Sequence, residues 1–203
     1  QPGAPYELGS LSSALEEPGG PALRVDDRDE LFEPSVRLVV TTGHGVSGFT
    51  LDADLGEDVL THPSIRCPAK GKYYSANVGN HRAWDPKVRQ FVDYITEKDP
   101  APNRPYSLRY SRALVGDLHR ILLEGGIYFY PADAKNKSGK LRFLYECAPL
   151  AMVAEQAGGK ATTGEQRILD LRAESAHHRV PLVIGSAEDV ALFDKFAKNG
   201  VAQ

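Results

Sequence analysis

Apolar residues fall in short β-branched runs between residues 35 and 77, and a helical stripe first shows at residue 86. Val36-Arg37-Leu38-Val39-Val40-Thr41-Thr42 predicts a strand, and Phe49-Thr50-Leu51-Asp52 a second one. Between them Gly43-His44-Gly45-Val46-Ser47-Gly48 spells G-x-G-x-x-G. A dinucleotide fingerprint needs those glycines to open a helix whose N-terminus meets the pyrophosphate. A strand follows instead, so the glycines predict a hairpin turn. Leu55 to Leu60 predicts a short helix or strand, ending at Thr61-His62-Pro63. Lys72 to Asn77 is another strand, running into the amide-rich loop Asn77-Val78-Gly79-Asn80, which either faces a ligand or forms turns.

Asp85-Pro86 is a helix start, an N-cap followed by proline at the first helical position. The helix 86–98 carries Val88, Phe91, Val92 and Ile95 on one face. A proline-rich extended loop, 99–105, leads to Tyr106–Tyr110 and a helix over 111–124 with the stripe Leu114, Leu118, Ile121 and Leu122. His119, beside that stripe, reads as a core or interface histidine. Gly125-Gly126 ends the helix. Ile127–Tyr130 and Leu141–Tyr145 predict strands around the turn residues Asn136-Lys137-Ser138-Gly139. Ala148–Gln156 has helical spacing, and Gly158-Gly159 is placed to stop it in a left-handed cap. Val180–Ile184 is a buried strand, and Ser186 with Asp189 resembles a capping box for a helix 187–198. The order of elements predicts an α/β fold, a layered sheet flanked by helices, over residues 35–203. Residues 1–34, rich in proline and glycine, predict a flexible lead-in or linker. Their cluster Asp26-Asp27-Arg28-Asp29-Glu30 is either a solvated charge run or a cation site.

Composition adds exclusions. The 203 residues are 41% hydrophobic and 25% charged with formal net charge −3, enough to bury a real core. No basic block marks a nucleic-acid partner, and no apolar run reaches the roughly 18 residues of a membrane helix. Cys67 and Cys147 are isolated from each other and from histidines, which points to neither a disulfide framework nor a zinc site but to a reducing, cytoplasmic setting. His177 and His178 point apart on an extended segment and read as surface. The start Gln-Pro-Gly-Ala-Pro is neither a signal nor a transit peptide. It lacks an initiator Met, which is expected of a processed chain or a piece of a longer one. No G-x-S-x-G elbow or Walker loop is present. Two places carry chemistry. Arg109-Tyr110 pairs a guanidinium with a phenol, which suits a phosphate, or is a surface Arg beside a half-buried Tyr. Glu146 falls where a strand hands over to a helix, the crevice in which α/β proteins bind ligands. It reads as a metal ligand, a base, or a solvated or capping carboxylate.

The stretch GGIYFYPADAKNKSGKLRFLYECAPLAMVAEQAGGKATTG, with FTLDADLGEDVLTHP, GKYYSANVGN, LRYSRALVGDLHR and HHRVPLVIGSAEDV, resembles the C-terminal half of class I fructose-1,6-bisphosphatases over about residues 35–198. The resemblance implies the C-terminal domain of the sugar-phosphatase fold shared with inositol phosphatases. It implies a phosphatase removing the 1-phosphate of fructose 1,6-bisphosphate with Mg²⁺, in a homo-oligomer. Asn77, Tyr110 and Tyr130 would hold the 6-phosphate, and Arg109 would reach the 6-phosphate of a neighbouring subunit. Lys140 would contact the sugar, Arg142 the reacting 1-phosphate, and Glu146 the metal. Sedoheptulose 1,7-bisphosphate is the alternative substrate, and a non-catalytic sugar-phosphate-binding or regulatory domain is the alternative role. The sequence also departs from the family pattern. Val78 and Asn80 stand where members carry Glu and Tyr, and Arg112-Ala113 where they carry Gly-Ser. The D-P-L-D-G-S metal motif and its upstream glutamates are absent, so an N-terminal half, in cis or in trans, would have to complete the site.

Overall fold

A computed structural model describes residues 22–27, 35–99 and 104–199. Strands β1 (Ala22–Asp27), β2 (Ser35–Thr41), β3 (Val46–Asp52) and β4 (Glu57–His62) form an antiparallel meander in that order. The G-x-G-x-x-G stretch makes the β2–β3 hairpin as expected: residues 42–45 turn the chain, and Val46 and Gly48 already belong to β3. β1 lies inside the segment expected to be lead-in; it pairs with β2 along its whole length. The rest of that segment, 1–21 and 28–34, and with it most of the acidic cluster, lies outside the described residues.

The second sheet has the order β6-β5-β7-β11-β9: Ser107–Leu108, Tyr73–Ser75, Ile127–Tyr130, Leu182–Gly185 and Lys160–Thr162. β6, β5 and β7 are parallel, while β11 runs antiparallel to both β7 and β9. Parallel neighbours need crossovers, and helices supply them. Helix α1 (Pro86–Thr96) joins β5 to β6 and α2 (Leu114–Glu124) joins β6 to β7. Asp85 caps α1 by accepting from Lys87 N at 2.8 Å. Helix α3 (Ala148–Gln156) ends as expected. Gly158 is at φ +90, and Gly159 N reaches back to the Ala154 carbonyl at 2.8 Å.

Side-chain alternation in β7 divides the core. Ile127 and Phe129 face α1 and the final helix α4 (Ala187–Asn199), packing with Phe91, Ile95 and Phe193. Tyr128 faces α2 and α3, packing with Leu118, Leu122, Leu150 and Val153, and Val39 and Val46 of the meander close the same cluster. The layers are therefore α1/α4, five-stranded sheet, α2/α3 and four-stranded sheet. None of the described helices is long and apolar enough to cross a membrane.

Four local expectations are corrected. Leu141–Tyr145 is not one strand. β8 is Leu141–Arg142 only, and Phe143–Cys147 winds into a π-helical turn, because the partner strand β10 (Arg179–Val180) offers just two residues. Val180–Ile184 is broken at Pro181, which has no N–H for the ladder, so β10 and β11 serve different sheets. Helix α2 starts at Leu114, since Arg112 sits at φ +70. Asp189 is not half of a capping box: it accepts from Gly71 N at 2.8 Å and from the Tyr106 hydroxyl at 2.7 Å.

Candidate functional site

Three adjacent parallel strands end at one edge of the five-stranded sheet, the place where open α/β sheets leave a crevice. Tyr130 closes β7. Ser75, the last residue of β5, pairs with Tyr128, and Asn77 follows it two residues on. The Asn77 carbonyl accepts from Asn80 N at 3.0 Å and so starts the 3-10 turn Val78–Ala83. Tyr110 lies two residues beyond β6, half-buried against the α2/α3 core, as Tyr130 is.

The loop between β6 and α2 is pinned from below. Asp117, fully buried, accepts from Ser111 N at 3.1 Å and from the Arg120 guanidinium at 2.8 Å. The pKa of the Tyr110 phenol is raised, by burial first and then by Tyr130 and Asp117, with Arg112 opposing. Tyr128 is pushed up too, again by burial first and then by Tyr110 and Asp117. These phenols are neutral at physiological pH, so each keeps a proton to donate to an anionic oxygen.

Lys140 joins them: its Nζ stands 5.9 Å from the centre of the Tyr130 ring. What places it is Gly139, at φ +80, where an added Cβ would lie 2.2 Å from Pro181 N. Only glycine lets Lys140 and Arg142 dock this closely on β10. The Arg142 backbone N–H donates to the Glu146 carboxylate. The Arg142 Nε is buried with no hydrogen-bond partner among the described residues. Glu146 itself is half-buried in the π-turn at the foot of α3.

Arg109 is exposed. Its guanidinium lies 5.6 Å from the Tyr73 ring and donates to the Leu108 carbonyl. No three His, Cys, Asp or Glu side chains gather as a metal site among the described residues, so Glu146 stands without fellow ligands there. Mg²⁺ demands about six oxygens in near-ideal octahedral geometry, and one carboxylate does not hold it. The residues that sequence reasoning missed are Tyr128 and Asp117, while Arg112, noted there only as a departure from the family pattern, proves to hold a positive φ. Alternation along Ile127-Tyr128-Phe129-Tyr130 was the available signal for the first; Asp117 acts through long-range packing, which leaves no such pattern.

Comparison with known proteins gives one consistent result. A family described as "Fructose-1-6-bisphosphatase, C-terminal domain" matches residues 67–198. A class 1 fructose-1,6-bisphosphatase of Acaryochloris marina is 54% identical over 172 residues, covering 85% of this chain and 51% of that protein. The Arabidopsis thaliana protein named "Fructose-1,6-bisphosphatase 1, chloroplastic" is 52% identical over 82% of this chain and 40% of its own length. The holo-form crystal structure of Leishmania major fructose-1,6-bisphosphatase superposes with a TM-score of 0.78 at 47% identity, covering 81% of this chain and 51% of that one. The chain thus spans about half the length of the relatives it matches.

Proposed function

The chain belongs to the fructose-1,6-bisphosphatase family, whose C-terminal domain it carries, and we propose that it forms the sugar-phosphate-binding part of an enzyme hydrolysing the 1-phosphate of fructose 1,6-bisphosphate. The observation that carries this reading is the placement of Tyr130 at the end of β7, and of Asn77 and Tyr110 just beyond its parallel neighbours β5 and β6, with Lys140 over Tyr130. In this reading the phenols and the Asn77 amide donate to the oxygens of the 6-phosphate. Lys140 holds the sugar, and the Arg142 guanidinium faces the 1-phosphate with its unpaired Nε. Arg109, exposed one residue beyond edge strand β6, would exchange its contacts with the Leu108 carbonyl and the Tyr73 ring for the 6-phosphate of a second copy, and on that role we propose a homo-oligomer.

For Mg²⁺ the proposal assigns Glu146 one ligand position and leaves the others to an N-terminal half, in cis or in trans. The outer face of the meander offers such a half a seat: Leu38, Phe49 and Leu60 align across three strands, and Leu60 is exposed. We place the protein in the cytoplasm, consistent with its two buried free thiols. The lack of a carboxylate cluster among the described residues favours a second reading, a sugar-phosphate-binding domain without catalysis.

One titration tests the binding role. Phosphorus NMR of the 203-residue chain with fructose 6-phosphate should show saturable binding, and its absence overturns the assignment. Phosphate release from fructose 1,6-bisphosphate with Mg²⁺ should not occur with this chain by itself. Release that disappears in Glu146→Ala would mean that the chain completes its own metal site.

A further inference from the structure

We propose that Arg112 is a specificity-determining ligand for the phosphate held beside Tyr110, giving this site a cation within its own subunit. The inference rests on the sugar-phosphate reading above and concerns a residue that reading does not use. Arg112 is the one non-glycine residue at positive φ among the described residues, at +70. Side chains with a Cβ resist that conformation, and where they adopt it their surroundings impose it. Here both flanks are tied: Ser111 N to the buried Asp117 carboxylate at 3.1 Å, and Ala113 N to the Ser111 hydroxyl at 3.2 Å.

Arg109, Arg112 and Arg120 lie close to Tyr110 along the chain, and two of them are engaged. Arg120 is paired with Asp117, and Arg109 donates to the Leu108 carbonyl and lies over Tyr73. Arg112 is exposed, and no hydrogen-bond or ion-pair partner occurs for it among the described residues. Its charge reaches the Tyr110 phenol, where it opposes the upward shift that burial imposes. Asn77, Tyr110 and Tyr130 offer hydrogen-bond donors but no positive charge. A guanidinium at this edge supplies the charge they lack and the planar fork that matches two phosphate oxygens.

Phosphorus NMR titration of the full chain with fructose 6-phosphate at low and high salt, on wild type, Arg112→Lys and Arg112→Gly, decides it. Arg112→Gly should weaken binding by about tenfold, the loss of one charge-assisted contact, and flatten its salt dependence. Arg112→Lys should keep part of the affinity. Glycine accepts φ +70 freely, so the melting temperature of Arg112→Gly should hold or rise, which separates lost binding from lost folding. Binding by Arg112→Gly equal to or tighter than wild type overturns the proposal and shows the side chain to be idle or in the way of the sugar. A wild-type chain that binds no fructose 6-phosphate overturns the sugar-phosphate reading as well.

Discussion

Where β5 and β7 begin, the Gly126 N–H donates to the Ser186 hydroxyl at 2.9 Å, and Asp189 takes hydrogen bonds from Gly71 and Tyr106, with Ser186 and Asp189 both buried. Where the same strands end, Tyr110 and Tyr130 are half-buried, Lys140 and Arg112 are exposed, and the Arg142 Nε has no partner among the described residues. One end of the sheet satisfies its polar groups internally and lets backbones touch; the other leaves donors and cations unspent. The difference teaches where each kind of free energy resides. Paired buried groups and close backbone contacts stabilise the fold, whereas unpaired ones at an open edge stabilise it little and remain available to a ligand.

The comparison breaks first at Gly126. Its φ is +129, and an alanine Cβ would lie 2.4 Å from the Tyr73 carbonyl oxygen. Gly126→Ala should cost about 3 kcal/mol or more, from backbone strain plus overpacking; a urea melt that matched wild type would refute the closed-end account. Next comes Asp189→Ala, which strands two donors and should cost about 2 to 4 kcal/mol. Burial raises the pKa of Asp189, although the bonds from Tyr106 and Gly71 oppose the shift. The raised value gives this residue a signed pH effect. Below the ordinary value of 3.8 both states hold the proton; as pH climbs toward the raised value the unfolded chain releases it first, so stability falls. Asp189→Asn should remove that decline from denaturation measured across the acidic range. Smallest in stability is Tyr110→Phe at the open end. It should leave the unfolding free energy within about 0.5 kcal/mol of wild type while weakening fructose 6-phosphate binding roughly five- to thirtyfold. Equal losses of stability at both ends would erase the distinction.

Local signals carried much of the architecture. Asp85-Pro86 starts α1, Gly158-Gly159 stops α3, and the hairpin at Gly43–Gly48 follows from the strand after it. Asn77, Tyr110 and Tyr130 lie at or just beyond the ends of strands that are legible one at a time. What stayed hidden depends on partners far along the chain. The length of β8 is set by β10, the role of Asp189 by Gly71 and Tyr106, and the conformation of Arg112 by Asp117. Strand β1 was obscured by its setting among prolines and glycines, and only its pairing with β2 shows it.

Gly139 has a consequence for motion. The segment before it is knitted internally: Asp133 accepts from the backbone N–H groups of Lys135 and Asn136 at 2.9 and 2.6 Å, and Ala134 N donates to the Ala83 carbonyl. The contact of Gly139 with Val180 and Pro181 then fastens that segment to the chain entering β11, a core strand. Lys140 and Arg142 are thus carried on the frame rather than on a hinge. Their backbone moves when the core moves, on the slow timescale of global opening. Faster motion at this edge therefore has to come from elements other than this loop.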